Sequence, residues 1–246
     1  MSILKKTEVA RRVCPVIFLL DTSGSMSGQP IGAVNAAIEG ILPELVSMND
    51  DNPDVQIEFA IMTFDSDIRW VTGNNSLINP ANHAWNDLDA SGFTAMGAAF
   101  NELSNALSVS GGFMNKASGS VAPVLFLLSD GEPSDNYEDA LQKLRDNPWY
   151  KVAVRVAIGY GESNDEVLAK FTGNSETVLH TNDPKTLKAL IKFVAITSSM
   201  VASKGKAGAS QGDASIDPQA ANDMTNALAE ALKSSPPSLT SDDEDW

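Results

Sequence analysis

The sequence predicts an α/β fold: a doubly wound, mainly parallel sheet with one antiparallel edge strand and helices on both faces. Three observations predict it. Apolar runs of strand length alternate with segments of helical periodicity along residues 13–201. Two of those runs, residues 13–20 and 121–128, are apolar almost throughout, as strands buried on both faces must be. Each run ends beside an acidic residue, Asp21 and Asp130, at the strand ends where open α/β sheets place their ligands.

The elements follow in order. Residues 13–20 form the first strand. Pro30 stands where a helix begins, and Ile31, Val34, Ala37, Ile38, Ile41, Leu42 and Leu45 recur at helical spacing. Residues 49–53 form a loop. Residues 55–64 are rich in strand formers, and residues 68–71 read as a hairpin partner across Asp65-Ser66-Asp67. Residues 73–92 are irregular, with one helical turn near residues 81–86. Residues 95–107 read as a helix with Met96, Ala99, Phe100, Leu103 and Leu107 on one face. A glycine-rich loop, residues 111–119, leads into the strand at 121–128. A helix over 136–145, a strand over 152–158, a short helix over 165–171 and a short strand over 177–180 follow. Asp183 caps a helix that runs to residue 201, with Leu187, Leu190, Ile191 and Val194 facing inward.

Outside residues 13–201 the composition changes. Residues 1–12 are a basic lead carrying Lys5, Lys6, Arg11 and Arg12. With the apolar run after it, this lead resembles a short export signal. That run ends in Asp21 with no small-residue cleavage site, so it reads as a buried strand. No run approaches the roughly 20 apolar residues of a membrane span. Residues 202–217, rich in Gly, Ser, Ala and Lys, read as a flexible linker. Residues 218–233 have the spacing of an amphipathic helix through Ala221, Met224, Leu228, Ala231 and Leu232. Residues 234–246 form an acidic tail, ending Asp242-Asp243-Glu244-Asp245-Trp246.

The net charge is −15, and most of it belongs to the central region. Such a surface repels nucleic acid and attracts cations and basic partner faces. The single cysteine, Cys14, lies in an apolar strand and forms no intrachain disulfide, which fits a reducing, cytoplasmic compartment. No nucleic-acid or membrane partner is expected.

Three loops carry the chemistry: Asp21-Thr22-Ser23-Gly24-Ser25, Ser91-Gly92-Phe93-Thr94-Ala95-Met96-Gly97 and Ser129-Asp130-Gly131-Glu132. Asp21, Ser23, Ser25, Thr94 and Asp130 together offer two carboxylates and three hydroxyls, all hard oxygen ligands. That set suits Mg²⁺, with Mn²⁺ the alternative, and leaves the cation electrophilic because few of its ligands are anionic. Gly24 permits a tight turn between the serines, and Gly92 and Gly97 allow close backbone approach. Glu132 and Asp135 read as helix-start residues, Asp65 and Asp67 as hairpin-turn residues. His83 and His180 read as surface or loop residues, and Trp70, Trp85 and Trp149 as packing residues.

On these residues the chain resembles the von Willebrand factor A domain, whose metal-ion-dependent adhesion site uses this three-part pattern. The resemblance covers roughly residues 12–200 and places Asp21, Ser23, Ser25, Thr94 and Asp130 on the motif. More narrowly, Leu20-Asp21-Thr22-Ser23-Gly24-Ser25-Met26, Gln29-Pro30-Ile31, Thr63-Phe64-Asp65 and Asp130-Gly131-Glu132-Pro133-Ser134-Asp135 look like the bacterial cytoplasmic, TerY-like branch associated with tellurite resistance. Members of that branch are often encoded beside a metal-dependent protein phosphatase and a Ser/Thr kinase. The resemblance implies an intracellular scaffold that grips an acidic side chain of a protein partner through a metal.

Two other classes compete. A phosphotransferase with an aspartate nucleophile would also place Asp21 after the first strand, but it needs a second aspartate where Ser23 stands. No P-loop, nucleophile elbow or His/Cys cluster supports a hydrolase, so no catalytic residue is expected. A phosphoprotein adaptor would act through the tail, with Asp242, Asp243, Glu244, Asp245 and Trp246 docking on a basic groove.

Overall fold

Strand β1 (Arg12–Asp21) is buried along nearly its whole length and lies at the centre of a six-stranded sheet. The structure, a computed structural model, describes residues 11–73, 76–115, 119–161, 163–181 and 183–192, with Asn226 and Glu230. Most of the basic lead and of the expected helix at 218–233 lies outside the described residues. So do the end of the expected last helix, residues 193–201 with Val194, the linker, and the acidic tail with Asp242, Asp243, Glu244, Asp245 and Trp246.

After β1 come helix α1 (Gln29–Asp51), strand β2 (Val55–Phe64) and the short strand β3 (Ile68–Trp70). Helix α2 (Met96–Ala106) leads to β4 (Val124–Ser129), then α3 (Tyr137–Asp146) and α4 (Pro148–Lys151). Strand β5 (Val154–Gly159), helix α5 (Asp165–Thr172) and strand β6 (Val178–His180) follow, and residues 184–192 form helix α6. The strand order is β3-β2-β1-β4-β5-β6, and every pairing is parallel except β2 with β3. The expected fold class is therefore the observed one.

The chain winds first to one side of β1, through α1 to β2, and then to the other side, through α2 to β4. Right-handed crossovers put the helices of these two movements on opposite faces. Side chains alternate accordingly along β1. Cys14, Val16, Phe18 and Leu20 enter the core under α1 and α6, whereas Val13, Ile17 and Leu19 enter the core under α2, α3 and α5. Phe18 and Phe126, paired across β1 and β4, stack at 5.1 Å. The β4 ladder on β1 starts at Val16, just past Pro15, which has no N–H to offer a sheet.

Several boundaries differ from expectation for identifiable reasons. Helix α1 runs through Asp51, so the expected loop at 49–53 is mostly helical. Asn49 closes it onto the sheet, accepting from Ile57 N–H at 2.6 Å and donating to Ile57 C=O at 2.9 Å. Among the described residues α1 is the one helix long and apolar enough to cross a bilayer, against the expectation that no run is. Its apolar face, from Ile31 to Leu45, is buried against the sheet. The helical turn expected near 81–86 is a 3₁₀ turn at Pro80–Asn82, started by Asn79, whose side chain accepts the Ala81 N–H. Helix α4 was not expected. Its signal is Asn147-Pro148, a cap residue before a first-turn proline, with Asn147 accepting from Trp149 N–H at 2.8 Å. Cys14 is buried, and burial pushes its thiol up to about 12, as an inert core residue requires.

Candidate metal centre

Neighbouring parallel strands β1, β2 and β4 end on one edge of the sheet; the loops of Asp21 and Asp130 leave β1 and β4 there, and the segment after β3 returns to the same edge with Thr94. Asp21 is the last residue of β1 and is fully buried. Its Oδ1 accepts the Ser23 N–H at 2.9 Å and its Oδ2 accepts the Ser129 hydroxyl at 2.6 Å. Burial pushes the Asp21 carboxyl up to about 6; the hydrogen bonds from Ser129 and Ser23 pull it down, and the Asp130 charge pushes it up. The two candidate carboxylates are thus close enough to oppose each other.

Ser23 precedes and Ser25 lies within a 3₁₀ turn, Gly24–Met26, and their Oγ atoms are 3.1 Å apart. Two oxygens on adjacent corners of a Mg²⁺ octahedron, at bond lengths of about 2.0–2.1 Å, are separated by about 3 Å. The serine pair fits that edge. Gly24 acts differently from expectation: it opens the 3₁₀ turn with its N–H on Gly92 C=O at 3.0 Å, and a Cβ there would lie 3.2 Å from that oxygen. Its missing side chain lets two loops touch.

Backbone hydrogen bonds join the three loops. Ser91 N–H donates to Thr22 C=O at 2.8 Å, and Ala95 N–H donates to Asp65 C=O at 2.8 Å. Thr94, buried just before α2, exchanges two bonds with Ser134 of the β4–α3 loop: its N–H to Ser134 Oγ at 3.0 Å, and its C=O from Ser134 N–H at 2.9 Å. The Thr94 hydroxyl is left without a protein partner among the described residues. Asp130 follows β4 and is half-buried, with its Oδ1 accepting the Glu132 N–H at 3.3 Å. The fold thus gathers the loops of Asp21, Ser23, Ser25, Thr94 and Asp130 at the switch point between β1 and β4.

Some neighbours were assigned other roles by sequence. Asp135 caps α2 rather than its own helix, accepting Gly97 N–H at 2.9 Å and Ala98 N–H at 3.0 Å. Gly97 is needed for that contact, since a Cβ would lie 2.9 Å from Asn136 C=O. Sequence reasoning missed Ser129, which bridges Asp21 to the Gly131 N–H at 2.8 Å; its one signal is its place between an apolar strand and Asp130. It also missed a clamp beside the site. His180 at the end of β6 meets Asp165 at 3.0 Å and Ser163 at 3.2 Å, while Asn164 N–H donates to Asp130 C=O at 2.8 Å. Asp165 and His180 are exposed, and the triangle anchors the β5–α5 loop behind Asp130.

Donor chemistry selects among cations. Among the described residues no three His, Cys, Asp or Glu side chains cluster as metal ligands. A cation here relies on hydroxyls and two carboxylates, a set fit for Mg²⁺ or Mn²⁺ and poor for metals that favour nitrogen and sulfur.

Sheet order and loop placement define a doubly wound α/β domain with its polar loops gathered at the switch point. Over residues 16–193 the sequence matches the family model described as von Willebrand factor type A domain, and the chain belongs to that family. Domains of this kind are typically protein-interaction modules with a divalent-metal adhesion site. Solved structures share the fold at low identity. The vWF domain of the type V pili tip protein Mfa5 from Porphyromonas gingivalis gives a TM-score of 0.59 at 11% identity, covering 81% of this chain and 99% of that one. The ArnB paralog VWA2 from Sulfolobus acidocaldarius gives 0.52 at 17% identity, over 73% of this chain and 44% of that one. Proximal thread matrix protein 1 from the mussel byssus, with a zinc-occupied MIDAS motif, gives 0.53 at 16% identity, over 74% of this chain and 47% of that one. The chain thus spans less than half the length of the mussel and Sulfolobus proteins. No curated protein matches it.

Proposed function

We propose that this protein is a Mg²⁺-dependent protein-interaction module, and not an enzyme, in which an acidic side chain of a partner completes the coordination of a cation held by Asp21, Ser23, Ser25, Thr94 and Asp130. The observation that carries the reading is Asp21: a carboxylate buried at a strand end and bonded only by neutral donors, beside a serine pair spaced like an octahedral edge. A buried charge without a counter-charge is costly, and a cation offsets that cost. When bound, the cation supplies a Lewis-acidic position for one carboxylate oxygen. Ser129 and the Ser23 N–H orient Asp21, and the backbone bonds between the loops hold the hydroxyls in place. Mn²⁺ is the alternative metal. Zinc, present at the adhesion motif of the mussel protein, is the competitor to include in titrations.

The single buried cysteine supports a cytoplasmic location. The sequence motifs support the TerY-like branch and, with it, a Ser/Thr kinase or a metal-dependent phosphatase as partner. A pull-down from the native host tests the reading, comparing wild type with Asp21→Ala in Mg²⁺ and in EDTA. The expected result is a partner retained only by wild type in Mg²⁺. Equal recovery in all arms overturns the metal bridge.

A further inference from the structure

Phe93 is 73% exposed, one of two large apolar side chains left on the surface of the described residues. The other, Val109, lies beyond the far end of α2, which at 11 residues spans about 16 Å. Phe93 therefore stands alone at the ligand-loop edge, next to Thr94. An exposed Phe forgoes about 1.5–3 kcal/mol of burial, and packing among the described residues does not account for its position.

Its backbone, by contrast, is fixed on both sides. The Phe93 N–H donates to Ser66 Oγ at 3.0 Å. Gly92 sits at φ +79°, and a Cβ there would lie 2.6 Å from the same Ser66 Oγ, so only glycine lets the turn close this tightly. Gly92 C=O is held by Gly24 N–H, Ser91 N–H by Thr22, and Thr94 by Ser134. An aromatic ring on a rigid loop, ringed by polar groups, has the anatomy of an interface anchor: large area, low ordering cost, surrounding polar rim. The loops bonded to this one are mostly acidic: exposed Asp67 follows Ser66, and exposed Glu132 and half-buried Asp130 lie in the loop whose Ser134 bonds Thr94, while the exposed Arg69 is paired to Asp65.

We infer that Phe93 is the apolar anchor of the docking surface, and that it selects protein segments in which an acidic side chain stands beside an aliphatic or aromatic one in otherwise neutral or basic surroundings. This rests on the metal-bridge reading, from which the acidic residue comes; the apolar neighbour comes from Phe93. These mostly acidic loops repel any further carboxylate, so the occupant is a segment with one acidic residue rather than an acidic run.

A library of random peptides displayed on phage, selected on the full chain in Mg²⁺, tests it. Wild type is expected to enrich an acidic residue with an apolar one within a few positions. Phe93→Ser is expected to keep its melting temperature, lose the apolar preference and bind the wild-type peptides about tenfold more weakly, with Phe93→Leu restoring most of the difference. Mg²⁺-dependent acidic peptides without apolar enrichment, or a change under twofold in Phe93→Ser, overturn this inference and leave the metal bridge standing. Peptides that bind equally in EDTA and to Asp21→Ala overturn the metal bridge and this inference with it. Failure to select any peptide in Mg²⁺ overturns both.

Discussion

Two aspartates stand side by side at the carboxyl edge of the sheet. Asp21 ends β1, and Asp65 follows Phe64, the residue paired with Asp21 on β2. Both are buried. Their partners differ. Asp65 meets the Arg69 guanidinium at 2.5 Å and the Asp67 N–H at 2.8 Å. Among the described residues Asp21 meets neutral donors of Ser129 and Ser23 and no cation, with Asp130 as a like charge nearby. The chain neutralises one buried carboxylate itself and leaves the other to a counter-charge from outside. Burial alone does not mark a metal ligand; burial without an internal cation does.

The largest test of that contrast is metal affinity. Asp21→Asn keeps the shape and removes the charge, so Mg²⁺ binding by calorimetry should weaken by about 1000-fold, or about 4 kcal/mol. Asp65→Asn should leave it within about threefold. An Asp21→Asn protein that still binds Mg²⁺ within tenfold of wild type breaks the comparison.

The next effect is on stability against pH in EDTA. The folded Asp21 carboxyl, at about 6, lies above its ordinary 3.8. Its contribution is therefore fully present below about pH 4 and is lost as the pH rises through about 6. Over roughly two units the loss is about 3 kcal/mol. Urea unfolding of wild type against Asp21→Asn should show this descent in wild type alone, and saturating Mg²⁺ should remove it, because the metal binds the ionised form. Parallel profiles for the two proteins in EDTA would mean that burial does not penalise Asp21.

How far sequence reaches is visible in the same pair. Both aspartates follow apolar strands; the Asp-x-Ser-x-Ser spacing after Asp21 and the hairpin turn at Asp65-Ser66-Asp67 separate their roles, but neither pattern shows that Arg69 neutralises Asp65 while Asp21 has no cation beside it among the described residues. The fold was legible because apolar runs, helical periodicity and strand-end acids are short-range signals that packing reinforces. The candidate ligands were legible as residue types in order. Which of them touch was not. Ser129 reads as a strand-end residue until β4 is placed beside β1, and Asp135 reads as the start of α3 until α2 arrives above it. The 3₁₀ turn at Pro80–Asn82 and helix α4 depend on single Asn side chains, signals too short for periodicity to carry. The exposure of Phe93 is a tertiary fact, since a phenylalanine in a glycine loop reads equally as core.

A smaller effect comes from the residue that holds Asp21. Ser129→Ala removes one of the two hydrogen bonds to its carboxylate and frees the Gly131 N–H. Partners behind metal ligands are typically worth 10–100-fold in affinity. Mg²⁺ titration of Ser129→Ala should fall in that range, with Ser129→Thr recovering part of it. An unchanged affinity would show that Ser23 alone orients Asp21.

The smallest effect should be Asp65→Asn on stability. The amide oxygen still accepts the Asp67 N–H, so the turn keeps its shape. What is lost is the charge opposite Arg69, whose side chain is 61% exposed and returns to water when released. Asp65 itself is buried, but its partner is largely in water, so the pair is screened and contributes on the order of 1 kcal/mol; urea unfolding at pH 7 should show a loss of that order. The descent with pH should persist in Asp65→Asn, because Asp21 is untouched. Ala95 N–H bonds to the Asp65 carbonyl, not to its carboxylate, so the Thr94 loop should stay in place. If Asp65→Asn instead removes Mg²⁺ binding as fully as Asp21→Asn does, the internal neutralisation of Asp65 by Arg69 is not what separates the two sites.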